Sequence, residues 1–451
     1  MKNKTLLALL LLPLPLFRSQ CTTVHAQRIM TLEECVAAAR QGNTRANDAR
    51  KDILMAKEQQ KYARSKYFPT LTASAFHFRS SDYLAKYQVL DQEDLNELNE
   101  QIDGSFTIED FTIGIIKKGT NSGLTLIEPL YTGGRITNYN KLADLQVDAR
   151  NLQRDVADDQ IVMDTEFLYF KILELHHTDK MLDAMEKELE NIHQDAVNIW
   201  ENGIVNKNDV LSVELVIDQL SALRIKSQNG CRLLRRALAK YIGMPDEDID
   251  VDTTLNREII APQLLAVSTE TALENRSETR LLDLYVEKSI LERKIAKANM
   301  LPVLAVGGTA NYSKFTTQNW NSRLMGFVGV QMPLSAFWSE RHEYKRKKIE
   351  EQKANEFRKD KRELISLQIQ DAYDNLVSSY NQTQIAQKSI TKAEENMRMN
   401  REYYKEGLTT MTVLLDAQRQ QQQALTQYYA AVSEYLQAKT RYLILTGRRQ
   451  P

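Results

Sequence analysis

Apolar residues recur at alternating three- and four-residue spacing from Leu142 onward: positions 145, 149, 152, 156, 163, 170 and 173 are Leu, Ala, Leu, Val, Met, Phe and Leu, interrupted only by Asp159 and Glu166. After a phase slip the seam resumes as Leu175, Thr178, Leu182, Met185, Leu189, Ile192, Ala196 and Ile199. A heptad sustained this far predicts coiled-coil packing. The predicted helix, from about Ile136 to Trp200, runs roughly 65 residues, or about 97 Å at 1.5 Å per residue. It ends at Glu201-Asn202-Gly203, where glycine can take the left-handed cap, and a return helix starts near Asn206 to Asp209, residues that favour N-caps. A second hairpin turns at Glu406-Gly407, with Thr409, Thr410 and Thr412 available as caps. Elsewhere the period is two: in 303–313, Leu304, Val306, Gly308, Ala310 and Tyr312 alternate with Thr309, Asn311 and Ser313, which predicts a strand with one apolar and one polar face. Residues 70–78 and 324–332 alternate less cleanly, and a fourth strand is expected near Thr120 to Glu128.

The two hairpins are copies. Residues 129–243 overlie 333–447 at a constant offset of 204, which places Pro129 on Pro333, Tyr169 on Tyr373, Gly203 on Gly407 and Gly243 on Gly447. Upstream the offset is 233: Lys61, Ala63, Pro69 and Leu71 fall on Lys294, Ala296, Pro302 and Leu304. The first half therefore carries a loop 29 residues longer between its strands. Matched Gly and Pro, the residues with special backbone roles, make chance an inadequate explanation. Pro69, Pro129, Pro302 and Pro333 are expected where strands meet helices, since proline is tolerated at the ends of elements and not in their interiors. The implied organisation is an export segment (1–26), a first repeat (27–243), a linker (244–267), a second repeat (268–447) and a short tail (448–451).

Composition removes several classes. Lys plus Arg is 59 and Asp plus Glu 60, so the formal net charge of -1 offers no footprint for nucleic acid. Cys21, Cys35 and Cys231 have no CxxC spacing, and the histidines show no HExxH or other ligand spacing. No metal site, cofactor or catalytic centre is expected. Lys2 and Lys4 precede an apolar run from Thr5 to Phe17 and a polar stretch ending Val24-His25-Ala26, the layout of a secretory signal peptide cleaved after Ala26; lipidation at Cys21 is the competing reading.

These features together resemble the TolC family of outer-membrane channel-tunnels. The carriers are the duplicated halves, Thr31-Leu32-Glu33-Glu34 followed by Ala37-Ala38-Ala39, the helices running into Tyr67-Phe68-Pro69 and Met300-Leu301-Pro302, and the turn from Tyr404-Lys405-Glu406-Gly407 to Leu414-Leu415-Asp416-Ala417. The resemblance implies a mainly α protein in which long antiparallel coiled-coil helices form an α-barrel and each of three protomers gives four strands to one transmembrane β-barrel. It implies an outer-membrane homotrimer in contact with outer-membrane lipid, with a periplasmic helical extension. The duct would serve a tripartite efflux pump or a type I secretion system, with a periplasmic adaptor (membrane fusion) protein and an inner-membrane transporter as partners. The bare sequence supports assembly, because four strands cannot close a barrel and would leave edges in lipid.

The resemblance places a periplasmic gate at Asp416 and Asp209; the family's other aspartate is replaced here by Val413, and its gate-linking Arg falls on Thr409. The alternative role for both acids is stabilisation of helix starts through the dipole. Gly203 and Gly407 mark the hairpin tips where an adaptor is expected to dock. The seam from 175 to 199 maps onto Ser379, Gln382, Ala386, Ser389, Ala393, Asn396, Asn400 and Tyr403, so this polar face of the second long helix is expected to line the lower tunnel or face solvent. Tyr83, Tyr87, Tyr312, Phe315 and Trp320 are expected in interfacial girdles near the loop ends. A periplasmic coiled-coil structural or adaptor protein without a pore is the alternative; it accounts for the hairpins and leaves the four strands unexplained.

Overall fold

Two small helices set the pattern that the long ones repeat. In the computed structural model, which describes residues 28–88, 112–254, 259–315 and 319–448, strand β1 (Arg28–Met30) leads into α1 (Leu32–Gly42) and α2 (Thr44–Ser65). A capping box opens α1: Glu34 N donates to Thr31 Oγ1 (3.2 Å) and Thr31 N to Glu34 Oε2 (2.9 Å). Asn43 then caps α2, accepting from Arg45 N at 2.8 Å. The expected export segment, with Cys21, lies outside the described residues, as do residues 449–451 and the side chain of Tyr87.

Four strands follow the expected positions: β2 (Thr70–Arg79), β5 (Lys118–Tyr131), β7 (Val303–Phe315) and β8 (Asn321–Gln331), with a small hairpin of β3 (Ala85–Gln88) and β4 (Thr112–Ile116) in the longer first loop. They form one antiparallel sheet in the order β2-β5-β7-β8. Pro69 and Pro302 immediately precede β2 and β7, and Pro333 opens the 3-10 turn Leu334–Phe337. Pro129 departs from its expected place, since it lies inside β5. The partner strand explains why it is tolerated: β2 pairs with β5 only as far as Ile127, so Pro129 has no ladder on that side, and a bulge follows between Pro129 and Tyr131.

The first long helix, α3 (Arg135–Glu201), has 67 residues, and its copy, α7 (Glu340–Lys405), has 66. The return helices α4 (Lys207–Tyr241) and α8 (Met411–Leu445) have 35 each. Between the halves lie β6 (Ile249–Val251), α5 (Thr269–Asn275) and α6 (Ser277–Ala298). Helix α3 packs on α2 and α4 on one flank and on α6 and α8 on the other, while α7 packs on α6 and α8. The helical layer thus follows the same lateral order as the strands.

Two apolar cores hold this layer. The lower one is the predicted seam: Leu182, Met185, Leu189, Ile192 and Ala196 are buried against Val213, Leu220, Met397 and Leu414. Each Leu, Ile, Met or Val among them, fully buried, contributes about 1.5–3 kcal/mol. The second core lies at the equator, where Met30, Leu32, Cys35, Tyr169, Ile249, Leu376, Tyr435 and Tyr442 meet. Here β1 pairs in parallel with β6. Asp159 and Glu166, which read as interruptions of the seam, are themselves buried, and Glu166 accepts a hydrogen bond from Thr440. Three tyrosines fasten the linker: Tyr435 Oη accepts from Ile260 N (2.9 Å) and donates to Ile260 O (2.7 Å), Tyr442 Oη accepts from Val267 N (3.1 Å), and Tyr169 Oη donates to Asp252 O (3.1 Å).

Candidate functional site

Directly opposed residues of antiparallel strands project to the same side, so the register sorts the sheet into two faces. One carries Leu71, Ala73, Leu124, Leu126, Val306, Ala310, Leu324, Val328 and Val330, with Glu128 opposite Val306 near its helical end; the other carries Thr72, Ser74, Asn121, Thr125, Thr309, Asn311, Asn321 and Arg323, with Phe76, Ile127, Met325 and Phe327 among them. The apolar face is bare: Leu324 is 87% exposed and Val328 72%. Its ends are marked by Tyr131, opposite Leu304, and by Tyr312, which stacks on Trp320 with centroids 4.7 Å apart. Leu304 and Tyr312 are eight residues apart, about 26 Å along a strand, which at the usual barrel tilt of about 40° spans about 20 Å, most of the apolar band of an outer-membrane barrel. The polar face holds one charged residue among the described strand positions, Arg323. Phe315 does not join the girdle as expected. It lies on the polar face, where it and Phe78 close over Gly119, whose missing side chain leaves room for both rings.

At the far end of the helices both predicted tips form with matching geometry. Gly203 (φ +75°) and Gly407 (φ +71°) are left-handed, with Gly203 N donating to Trp200 O and Ile204 N to Ile199 O, mirrored by Gly407 N to Tyr404 O and Leu408 N to Tyr403 O. These paired bonds satisfy the last carbonyls of each long helix. Sequence reasoning passed over Ile204 and Leu408, the residues that follow the glycines; they are 75% and 73% exposed. Their signal was present, since they are offset by the same 204 residues.

The two gate candidates have different surroundings. Asp209 stands in the first turn of α4, where the dipole favours an acid, and its charge helps hold the buried Tyr404 hydroxyl above its ordinary pKa, after burial itself. Asp416 stands beyond the first turn of α8, so the dipole account does not reach it. It accepts from Arg419 on the same helix and from Gln420 Nε2 (2.6 Å), and these bonds, Arg419 foremost, hold its carboxyl below the usual range. It lines a groove of about 310 Å³ between α4 and α8, floored by Leu189 of α3. No hydrogen bond joins Asp209 to Asp416 among the described residues.

The polar face proposed for the lower tunnel is only partly free. Ser379 and Ala386 are buried in the seam that α7 forms through Leu376, Thr383 and Ile390, Ser389 is half-buried, and Gln382 and Tyr403 are exposed. Small side chains read as a solvated wall because Ser and Ala serve equally where helices approach closely.

Comparison with known proteins agrees with this geometry. Residues 269–448 match the family model described as outer membrane efflux protein. No curated protein matches the sequence. Among solved structures, the chain is similar to the outer membrane protein VceC of Vibrio cholerae (14% identity, TM-score 0.73, 92% of this chain and 96% of that one). It is similar to the CmeC outer membrane channel of Campylobacter jejuni (14%, 0.74, 93% and 87%) and to the MtrE outer membrane channel of Neisseria gonorrhoeae in its open state (16%, 0.73, 92% and 88%). At these identities the likeness carries the fold.

Proposed function

We infer that this chain, whose residues 269–448 belong to the outer membrane efflux protein family, is one protomer of an outer-membrane exit duct that conducts solutes and is not an enzyme. The observation that carries the reading is the sheet: among the described residues it has four strands, a bare and mainly apolar face, a polar face and two unpaired edges, β2 and β8. Open edges do not persist in hydrocarbon. Because strands and helices share one lateral order, the edge formed by β8 and α7 can meet the edge formed by β2, α2 and α4 of a second copy. Such a head-to-tail contact closes into a ring. Three copies would supply twelve strands above a helical tube about 100 Å long.

The two tips, with exposed Ile204 and Leu408, are the docking points for a periplasmic adaptor that couples the duct to an inner-membrane transporter of a tripartite pump or type I secretion system. Asp416, with Asp209, contributes to the narrow periplasmic end. Because Arg419 already pairs with Asp416, the ring is a weak cation filter: Asp416→Ala lowers cation selectivity in planar-bilayer recordings, and Arg419→Ala raises it. Identical selectivity in wild type and both variants removes these residues from the constriction.

The experiment for the duct is fractionation followed by electrophoresis with and without heating. Recovery in the outer membrane as a heat-dissociated trimer supports the reading. A water-soluble monomer favours the pore-free coiled-coil alternative. Cysteines at Asn202 and Glu406 crosslink to an adaptor in cells if the tips dock it; crosslinks formed only from the linker refute that assignment.

A further inference from the structure

The junction between helices and sheet carries cations that no carboxylate holds among the described residues. Arg135 and Lys141 stand in the first two turns of α3, Lys294 and Lys297 close to the end of α6, and Arg341 and Lys345 in the first two turns of α7. All are exposed except the half-exposed Arg135. Among the described residues none of the six side chains makes an ion pair or hydrogen bond. Most neighbouring carboxylates are already engaged: Asp144 with Arg64 (3.5 Å) and Gln60 (2.7 Å), Glu292 and Glu350 with Lys347 (2.8 Å each), Glu343 with Arg346, and Glu351 with Arg293; among the described residues Glu340, at the start of α7, is not, and the cations outnumber it. The excess is local, since the whole chain has a net charge of -1.

Its level in the molecule is fixed by the strands. Val303 begins β7 six residues after Lys297, and Arg135 follows the end of β5 by four. At the helical rise the six cations fall within about 20 Å of the strand ends. Between them and the apolar face lie exposed aromatic rings: Tyr67, Phe68, Tyr131, Phe337 and Trp338. Going down the wall, apolar strands give way to aromatic rings and then to Lys and Arg. That is the order of hydrocarbon, interface and headgroup phosphate in a bilayer.

We propose that this collar binds the phosphate headgroups of anionic phospholipids in the periplasmic leaflet around the barrel. The proposal rests on the membrane-duct reading above. Attraction between exposed charges is screened beyond about 8 Å at physiological ionic strength, so the collar selects lipids in contact with the wall. Each basic residue near an anionic surface strengthens binding by about fivefold.

The test uses the full-length assembly in nanodiscs of phosphatidylcholine alone or with one quarter phosphatidylglycerol, with thermal melting and native mass spectrometry of retained lipid as readouts. The wild type melts higher in the anionic discs, loses that advantage in 1 M salt and retains phosphatidylglycerol out of proportion to its share. The variant K141Q/K294Q/K297Q/K345Q keeps its assembly and its melting point in phosphatidylcholine but loses the anionic increment and at least tenfold of the retained phosphatidylglycerol. The proposal is overturned if the wild type is indifferent to lipid charge, or if the variant keeps the preference. A variant that falls apart in both lipids overturns it as well, because the cations then bridge protomers. Failure of the wild type to enter any disc refutes instead the membrane reading on which the proposal stands.

Discussion

Adjacent residues of β5 offer a controlled perturbation of the proposed barrel. Leu126 lies on the apolar face opposite Leu71 and Gly308, close to midway between the aromatic ends at Tyr131 and Tyr312; Thr125, its neighbour, lies on the polar face opposite Thr72 and Thr309. Arginine at a lipid-facing position near the bilayer midplane costs about 2–4 kcal/mol, whereas a lumen position is bathed in water and costs near zero. Leu126→Arg therefore destabilises each protomer by about 2–4 kcal/mol, and a trimer by about three times that. Thr125→Arg places the same residue in the same strand one position away, so effects of the arginine itself on expression and strand propensity are matched. The assay is the fraction of protein recovered from outer membranes as heat-modifiable trimer. Leu126→Arg is expected to reduce this fraction severely and Thr125→Arg to leave it near wild type. Equal loss in both, or loss in Thr125→Arg alone, would refute the assignment of faces and with it the lipid boundary.

Three further outcomes follow from the periplasmic part. His176 donates to Asp250 at 2.7 Å and its pKa is pushed up to about 9 by that bond, with Cys231 assisting; the bond ties β6 to α3. Its stabilisation is full below the ordinary histidine value near 6.5 and is lost as pH rises through about 9, at most about 3 kcal/mol, so melting temperature falls between pH 6 and 10 in wild type and stays flatter in His176→Gln. Gly243→Ala destabilises far more than Gly203→Ala in thermal melts. Both glycines have positive φ, a cost of about 1–2 kcal/mol, but a Cβ at Gly243 would lie 2.7 Å from the Gly42 backbone while one at Gly203 meets nothing. Tyr435→Phe loosens the linker more than Tyr442→Phe in hydrogen exchange at Ile260 and Val267, because it frees two backbone groups rather than one, at about 1–3 kcal/mol per buried unsatisfied group.

The long helices and their tips could be read from the sequence because a heptad and a glycine cap are local signals repeated at a fixed offset. Strand positions were legible for the same reason, from period-two alternation and flanking prolines. What escaped depends on partners distant in the chain. The pairing of β1 with β6 joins three-residue segments about 220 positions apart, too short for any periodicity. Pro129 sits within β5 only because β2 stops short of it, which no property of β5 itself announces. Asp159 and Glu166 looked like breaks in a seam because burial of an acid depends on what surrounds it, and for Glu166 one partner is Thr440, 274 residues away. Arg419 was in plain view three residues from Asp416, yet its effect on the gate became apparent only with the ion pair formed.

Electron cryo-microscopy of the detergent-extracted, full-length protein tests the central claim most directly. The account predicts a hollow threefold particle in which a twelve-stranded barrel, polar inside and apolar outside, continues into a helical tube about 100 Å long, with Gly203 and Gly407 at its far, periplasmic end. A solid helical bundle, or a ring in which Leu126 and Val328 face the lumen, would contradict it.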